Sequence, residues 1–146
     1  MRIECLGDVI EYKNKTYPCS ISLAMNLVGG KWKILILYHI NNGITRFGQL
    51  YKCLVTITEA TLSHELKQLE KEGLIKKQLF GTKPPLVSDY TLTEFGKSFL
   101  PILNAIMAWG NQIALEKGKF ISYEKSVSPK IISVPPPYTV WEFACD

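Results

Sequence analysis

Histidine occurs only twice in the 146 residues, at 39 and 64, and that scarcity narrows the chemistry at once. No Ser/His/Asp set, paired carboxylates or phosphate-cradling glycine loop can be assembled from two histidines and scattered acids, so an enzyme is not expected. The four cysteines, Cys5, Cys19, Cys53 and Cys145, have no CxxC spacing. Neither a zinc site nor a dithiol redox motif is therefore indicated, and no metal or cofactor is expected. No apolar run approaches the roughly 20 residues that a membrane span needs. The best candidate, IleLeuIleLeuTyrHisIle at 34 to 40, is too short and reads as a central core helix. The N-terminus MetArgIleGluCysLeuGlyAsp lacks the apolar stretch of a signal peptide. A cytoplasmic location without a membrane partner is expected, with the thiols held reduced.

What is present fits one small domain. The chain is 47% hydrophobic, and at this length a single core buries roughly two thirds of the unfolded surface. Lysine and arginine number 17 against 13 acids, a net charge of +4, which suits a phosphate backbone without proving one. The distribution says more than the sum. Lys31, Lys33, Arg46, Lys52, Lys67, Lys71, Lys76, Lys77 and Lys83 all fall in the middle of the chain, where each phosphate contact would release a counterion.

That middle region has a definite order of elements. Leu62, Leu66 and Leu69 recur at steps of four and three and share one helical face. Thr58 is a good N-cap for that helix. Ala60, His64, Lys67 and Lys71 lie opposite, flanked by Thr61 and Ser63, and such a face is either solvated or used for binding. Gly73 can take the left-handed conformation that ends a helix. Residues 74–80 then read as a strand, GlyThrLysProPro at 81 to 85 as a turn, and 87–92 as a returning strand with Tyr90 and Leu92 on one face. Upstream, Phe47, Leu50 and Leu54 share a side of a short helix, and Val55 to Ile57 links it to Thr58. Two short helices, a tight link and a hairpin form a helix-turn-helix with a wing.

The runs GlyGlyLysTrpLysIleLeuIleLeu (29 to 37), ArgPheGlyGlnLeu (46 to 50), ThrLeuSerHisGluLeuLysGlnLeuGluLysGluGlyLeuIle (61 to 75), ProPro (84 and 85) and TyrThrLeuThrGluPheGly (90 to 96) resemble the HxlR family of bacterial transcriptional regulators, relatives of MarR. The resemblance covers about residues 17 to 115. It implies a mainly α fold with a small β-hairpin wing, an α+β winged helix-turn-helix that dimerises through its N- and C-terminal helices and binds double-stranded DNA. Relative to the family pattern, Leu86 stands where a basic residue usually follows ProPro, and ValSerAspTyr is one residue longer than the usual ValGluTyr.

Within that frame, Thr61, Ser63, His64 and Lys67 are the candidates for the major groove, because hydroxyls and a long cation meet base edges or nearby phosphates, and Thr58 is a further DNA-binding candidate. Arg46 resembles the family's arginine at this place and is expected to anchor a phosphate, an internal ion pair being the alternative. Lys83 is expected at the wing tip, along the minor groove or backbone. Thr93 caps a helix starting at Glu94, and Pro101 is expected to bend or loosen it. Phe95, Phe99, Ile102, Leu103, Ile106, Trp109 and Ile113 follow helical spacing as a long apolar stripe. The resemblance makes this stripe, with Ser20 to Val28, the surface of a two-fold homodimer, the alternative being ordinary core. Two recognition helices about 34 Å apart then imply an inverted-repeat operator.

Cys19 stands where many family members carry an N-terminal cysteine, which in some of them senses oxidants or electrophiles. Its place before a helix N-terminus would favour a thiolate. Thiol modification or a small-molecule effector is the regulation this implies, whereas Cys53 reads as semi-buried packing. Residues 1–16 are expected as a strand or arm, 17–117 as the DNA-binding and dimerisation domain, and 118–146 as a Pro/aromatic tail. The rival reading is a winged-helix protein-interaction module without sequence-specific DNA binding, for which Glu59, Glu65 and the altered wing are the grounds.

Overall fold

The computed structural model describes residues 9–84, 87–119, 129–132 and 140–143. A short hairpin opens it, β1 (Ile10–Tyr12) paired antiparallel with β2 (Lys15–Tyr17). Lys13 and Asn14 both have positive φ, 47° and 60°, the pair of left-handed residues that a two-residue hairpin turn requires. Helix α1 (Ser20–Val28) follows, and its end is closed by the Gly29 N–H on the Met25 carbonyl at 2.7 Å. Helix α2 (Lys33–Asn41) is the centre of the core, as its sequence predicts: Ile36, Leu37, His39 and Ile40 are all buried.

The next elements build the winged helix. Helix α3 (Phe47–Cys53) buries Leu50, with Leu54 beneath its end and Phe47 packed against the same cluster. Ile57 in the link is buried too, its N–H on the Leu54 carbonyl at 3.0 Å. Helix α4 (Glu59–Lys71) starts at Thr58, whose hydroxyl oxygen accepts from the Thr61 N–H at 3.1 Å. Leu62, Leu66 and Leu69 are all buried, as the stripe requires. Gly73 leaves the helix at φ 80°, and the Leu74 N–H returns to the Leu69 carbonyl at 3.0 Å, so the chain reverses within two residues. Strand β3 (Ile75–Phe80) pairs antiparallel with β4 (Val87–Leu92), from Ile75↔Leu92 to Phe80↔Val87. A short third edge comes from the stretch before α3: Arg46 bridges Asp89, and the Tyr90 N–H donates to the Thr45 carbonyl at 2.9 Å.

The C-terminal helix departs from expectation. It is two helices, α5 (Glu94–Lys97) and α6 (Leu100–Lys117), divided by a turn at Ser98 and Phe99. Thr93 caps α5 as expected, accepting from the Gly96 N–H at 3.0 Å. Pro101 falls in the first turn of α6, where its missing N–H would have had no intrahelical partner, so the break precedes it and costs no hydrogen bond. Gly96 is required by close approach: a Cβ there would lie 2.0 Å from the Leu74 carbonyl oxygen. Beyond α6 a separate hairpin pairs β5 (Pro129–Ile132) with β6 (Val140–Phe143). Among the described residues no single helix is long and apolar enough to cross a membrane.

Candidate nucleic-acid interface

The outward face of α4 carries Ala60, His64, Lys67 and Lys71, all exposed, while the opposite face is sealed into the core. Thr61 and Ser63 sit at its borders, half-buried. The Thr58 and Thr61 hydroxyls are joined by a hydrogen bond of 2.8 Å, and Thr58 also caps the helix. Thr58 therefore serves the helix start first, and Thr61 keeps its own hydroxyl proton for an outside acceptor.

Arg46 lies just before α3, exposed, and among the described residues it enters no ion pair. Its backbone is held on both sides, by the bridge to Asp89 and by the Leu50 N–H on its carbonyl at 3.0 Å. A long cation on a fixed stem is the arrangement that a phosphate anchor needs, and the alternative of an internal ion pair is not what the described residues contain. Lys83 is exposed beside Pro84, and Lys76 and Lys77 are exposed on the wing; Pro85 and Leu86, where the family pattern differs, lie outside the described residues.

Two charges in the middle region belong elsewhere. Lys33 Nζ lies 4.0 Å from the Glu65 carboxylate, both side chains largely covered at 19% and 20% exposure. The GlyGlyLysTrpLys run thus ties the start of α2 to the recognition helix, and the negative charge of Glu65 is balanced from within. Lys31 stacks over Trp32 with its Nζ 4.7 Å from the ring centroid, a cation–π contact. One contact was not anticipated: Lys13 Nζ reaches the Lys71 carbonyl at 3.4 Å and the Glu72 carboxylate at 3.3 Å. A cation there complements the negative end of α4. The LysAsn pair inside GluTyrLysAsnLysThrTyr was the signal for its hairpin, but only the folded chain puts the turn beside α4.

The apolar stripe of the C-terminal region divides. Phe99 and Leu103 are 8% and 2% exposed and belong to the core, which corrects their assignment to a dimer surface: Leu103 lies about 100° round α6 from Ile102, on the side where Leu100 and Met107 pack against the core. Phe95, Ile102, Ile106, Trp109 and Ile113 stay exposed, Trp109 at 67%, and α1 adds exposed Ile21 and Met25.

The cysteines also differ from expectation. Cys53, half-buried at the end of α3, is disulfide-bonded. Spacing along the chain says nothing of which thiols meet in space, so the expectation of reduced cysteines fails here. Cys5 and Cys145 lie outside the described residues. Cys19 precedes α1 at its N-cap, with its Sγ 3.6 Å from the Ser22 hydroxyl.

A helix-turn-helix with an exposed polar and basic recognition face, followed by a projecting hairpin, defines a winged-helix, DNA-binding transcriptional regulator. The chain belongs to the HxlR-like helix-turn-helix family, which it matches over residues 27–117. An uncharacterised helix-turn-helix transcriptional regulator of Methanothermobacter thermautotrophicus is 43% identical over 94 residues, covering 64% of this chain and 71% of that one. YkvN of Bacillus subtilis, described in the same terms, is 34% identical over 119 residues, covering 82% of this chain and 99% of the relative. Among solved structures, the redox regulator HypR in its oxidised form superposes with a TM-score of 0.61 at 31% identity, over 64% of this chain and 96% of HypR.

Proposed function

We propose that the protein acts as a homodimer on an inverted-repeat operator, regulating transcription of nearby genes, with α4 in the major groove of each half-site. The observation that carries this is the exposed stripe of Ala60, His64, Lys67 and Lys71, together with an exposed Arg46 that enters no ion pair among the described residues. His64 and Lys67, with Thr61 and Ser63 at the border, face base edges and adjacent phosphates; Arg46 and Lys83 hold the backbone to either side. Dimerisation uses the exposed apolar residues of α6 and α1, which water solvates poorly. The rival, a protein-interaction module, loses part of its ground because Glu65 is balanced by Lys33. Glu59 lies in the first turn of α4, where an acid favours the helix dipole.

Regulation by thiol chemistry at Cys19 belongs to the same proposal. The thiol stands at the head of α1, a helix that exposes Ile21 and Met25, so an adduct there would alter how two copies meet. The similarity to HypR, a redox regulator, supports an oxidant or electrophile as effector. A gel shift on the DNA upstream of this chain's own gene, titrated with salt, tests the DNA reading. Specific binding that weakens steeply as salt rises is expected, and no specific binding at low salt would sink it. For the thiol, Cys19→Ser is expected to abolish quinone-dependent release of that DNA; an unaltered release would exclude Cys19 as the sensor.

A further inference from the structure

One acid lies among the cations of the hairpin that follows α4. Residues 75–92 carry Lys76, Lys77 and Lys83 against the single carboxylate of Asp89. An acid on a surface that meets DNA repels the phosphates around it unless a cation stands between them. The strand register supplies that cation.

Asp89 is the centre of a row across three strands, with Gln78 opposite it on β3 and Arg46 opposite it on the edge before α3. The Tyr90 N–H on the Thr45 carbonyl at 2.9 Å makes Arg46 and Asp89 a non-hydrogen-bonded antiparallel pair. Side chains in such a pair share a face and stand closest, with Cβ atoms about 4.5 to 5.5 Å apart. An arginine side chain is longer than that gap, so its guanidinium reaches the Asp89 carboxylate by a change of rotamer.

Asp89 lacks a partner as it stands. Its Oδ1 is covered from solvent with no hydrogen-bond partner among the described residues, and so is Thr91 Oγ1, two positions along the same face of β4. A carboxylate oxygen that has lost its water and found no donor is costly. Arg46, directly opposite, is exposed and enters no ion pair among the described residues. In water the pair has little reason to close, because a hydrated guanidinium gains little from it and loses side-chain freedom. A bound phosphate changes both terms, since it fixes the guanidinium and displaces the water. The five N–H donors of arginine form a flat fork, so one edge serves Asp89 while the other serves the phosphate.

We infer that Asp89 is a positioning residue for DNA binding: it takes one edge of the Arg46 guanidinium and aims the other at a backbone phosphate beside each half-site. This rests on the DNA-binding reading above, in which Arg46 holds the backbone. The consequence runs against simple electrostatics. Removing an acid from a DNA-binding surface ordinarily tightens binding, whereas here it weakens it.

The test is fluorescence anisotropy of a labelled duplex of the upstream DNA, comparing the unaltered protein with Asp89→Asn, Arg46→Ala and the double variant. Asp89→Asn keeps the shape of the side chain and is expected to bind about tenfold more weakly. Its salt dependence should become shallower, toward that of Arg46→Ala. In the Arg46→Ala background the same substitution is expected to leave binding unchanged or tighten it, because only the repulsion is left to remove. Unchanged or tighter binding by the single Asp89→Asn variant would overturn the inference. So would an equal loss in both backgrounds, which would make Asp89 a support of the hairpin rather than of Arg46. An Arg46→Ala variant that binds like the unaltered protein would remove the phosphate contact and the inference with it, while DNA binding itself stands. If the unaltered protein forms no specific complex at low salt, the functional reading has failed and the inference falls with it.

Discussion

Replacing Arg46 with alanine isolates one cation whose removal leaves the fold alone. The main-chain bonds at this position, the Asp89 bridge and the Leu50 N–H on the Arg46 carbonyl, do not involve the side chain. The guanidinium is exposed and has no ion pair among the described residues, so its loss should change stability by no more than about 0.5 kcal/mol. On DNA the effect should be large. Each phosphate contact contributes about 0.9 to the slope of log K against log salt, and the proposed homodimer would lose two, so the slope should become shallower by about 1.8. Fluorescence anisotropy of a labelled operator duplex between 50 and 200 mM salt, on the order of the range in which such slopes are measured, reads this directly. Arg46→Lys keeps the charge and should keep most of the slope, though not a bidentate geometry. An unchanged slope in Arg46→Ala would remove this residue from the phosphate contacts. A loss of stability above about 1 kcal/mol would show instead that the side chain supports the fold.

Trp109→Glu places a charge in the exposed stripe of α6 and should raise the dimer dissociation constant about 100-fold or more, seen as a one-chain species in sedimentation; an unchanged dimer would move the interface elsewhere. Gly96→Ala drives a Cβ to 2.0 Å from the Leu74 carbonyl oxygen, and its urea midpoint should fall by the equivalent of about 3 kcal/mol, while a wild-type midpoint would mean that α5 does not pack so closely on the start of β3. His39 is buried, and desolvation lowers its pKa from the ordinary 6.5. As pH falls below that value the unfolded chain takes up the proton first, so the stability contributed by neutral His39 is complete at higher pH. It is lost as the pH falls toward the depressed folded value, by at most about 1.4 kcal/mol per pH unit. Urea unfolding at neutral pH and at about 5.5, between the histidine and carboxylate ranges, should show this fall, and His39→Leu should flatten it; a variant with the same slope would assign the effect to other groups.

Local order in the chain was enough for the recognition helix and its surroundings. The spacing of Leu62, Leu66 and Leu69, the caps Thr58 and Thr93, and the reversal at Gly73 all depend on bonds between residues a few positions apart, and such bonds leave their pattern in the sequence. The exposed face from Ala60 to Lys71 was legible for the same reason. Tertiary structure alone decided which members of the long C-terminal stripe face inward: Phe99 and Leu103 are buried in the core, while Ile102, Ile106, Trp109 and Ile113 of the same stretch stay exposed. It alone set Lys33 against Glu65, brought Lys13 to the end of α4, and left Arg46 without an ion pair among the described residues. Periodicity states which side chains share a face, since that follows from the backbone repeat; what covers the face depends on elements that meet in space from distant parts of the chain.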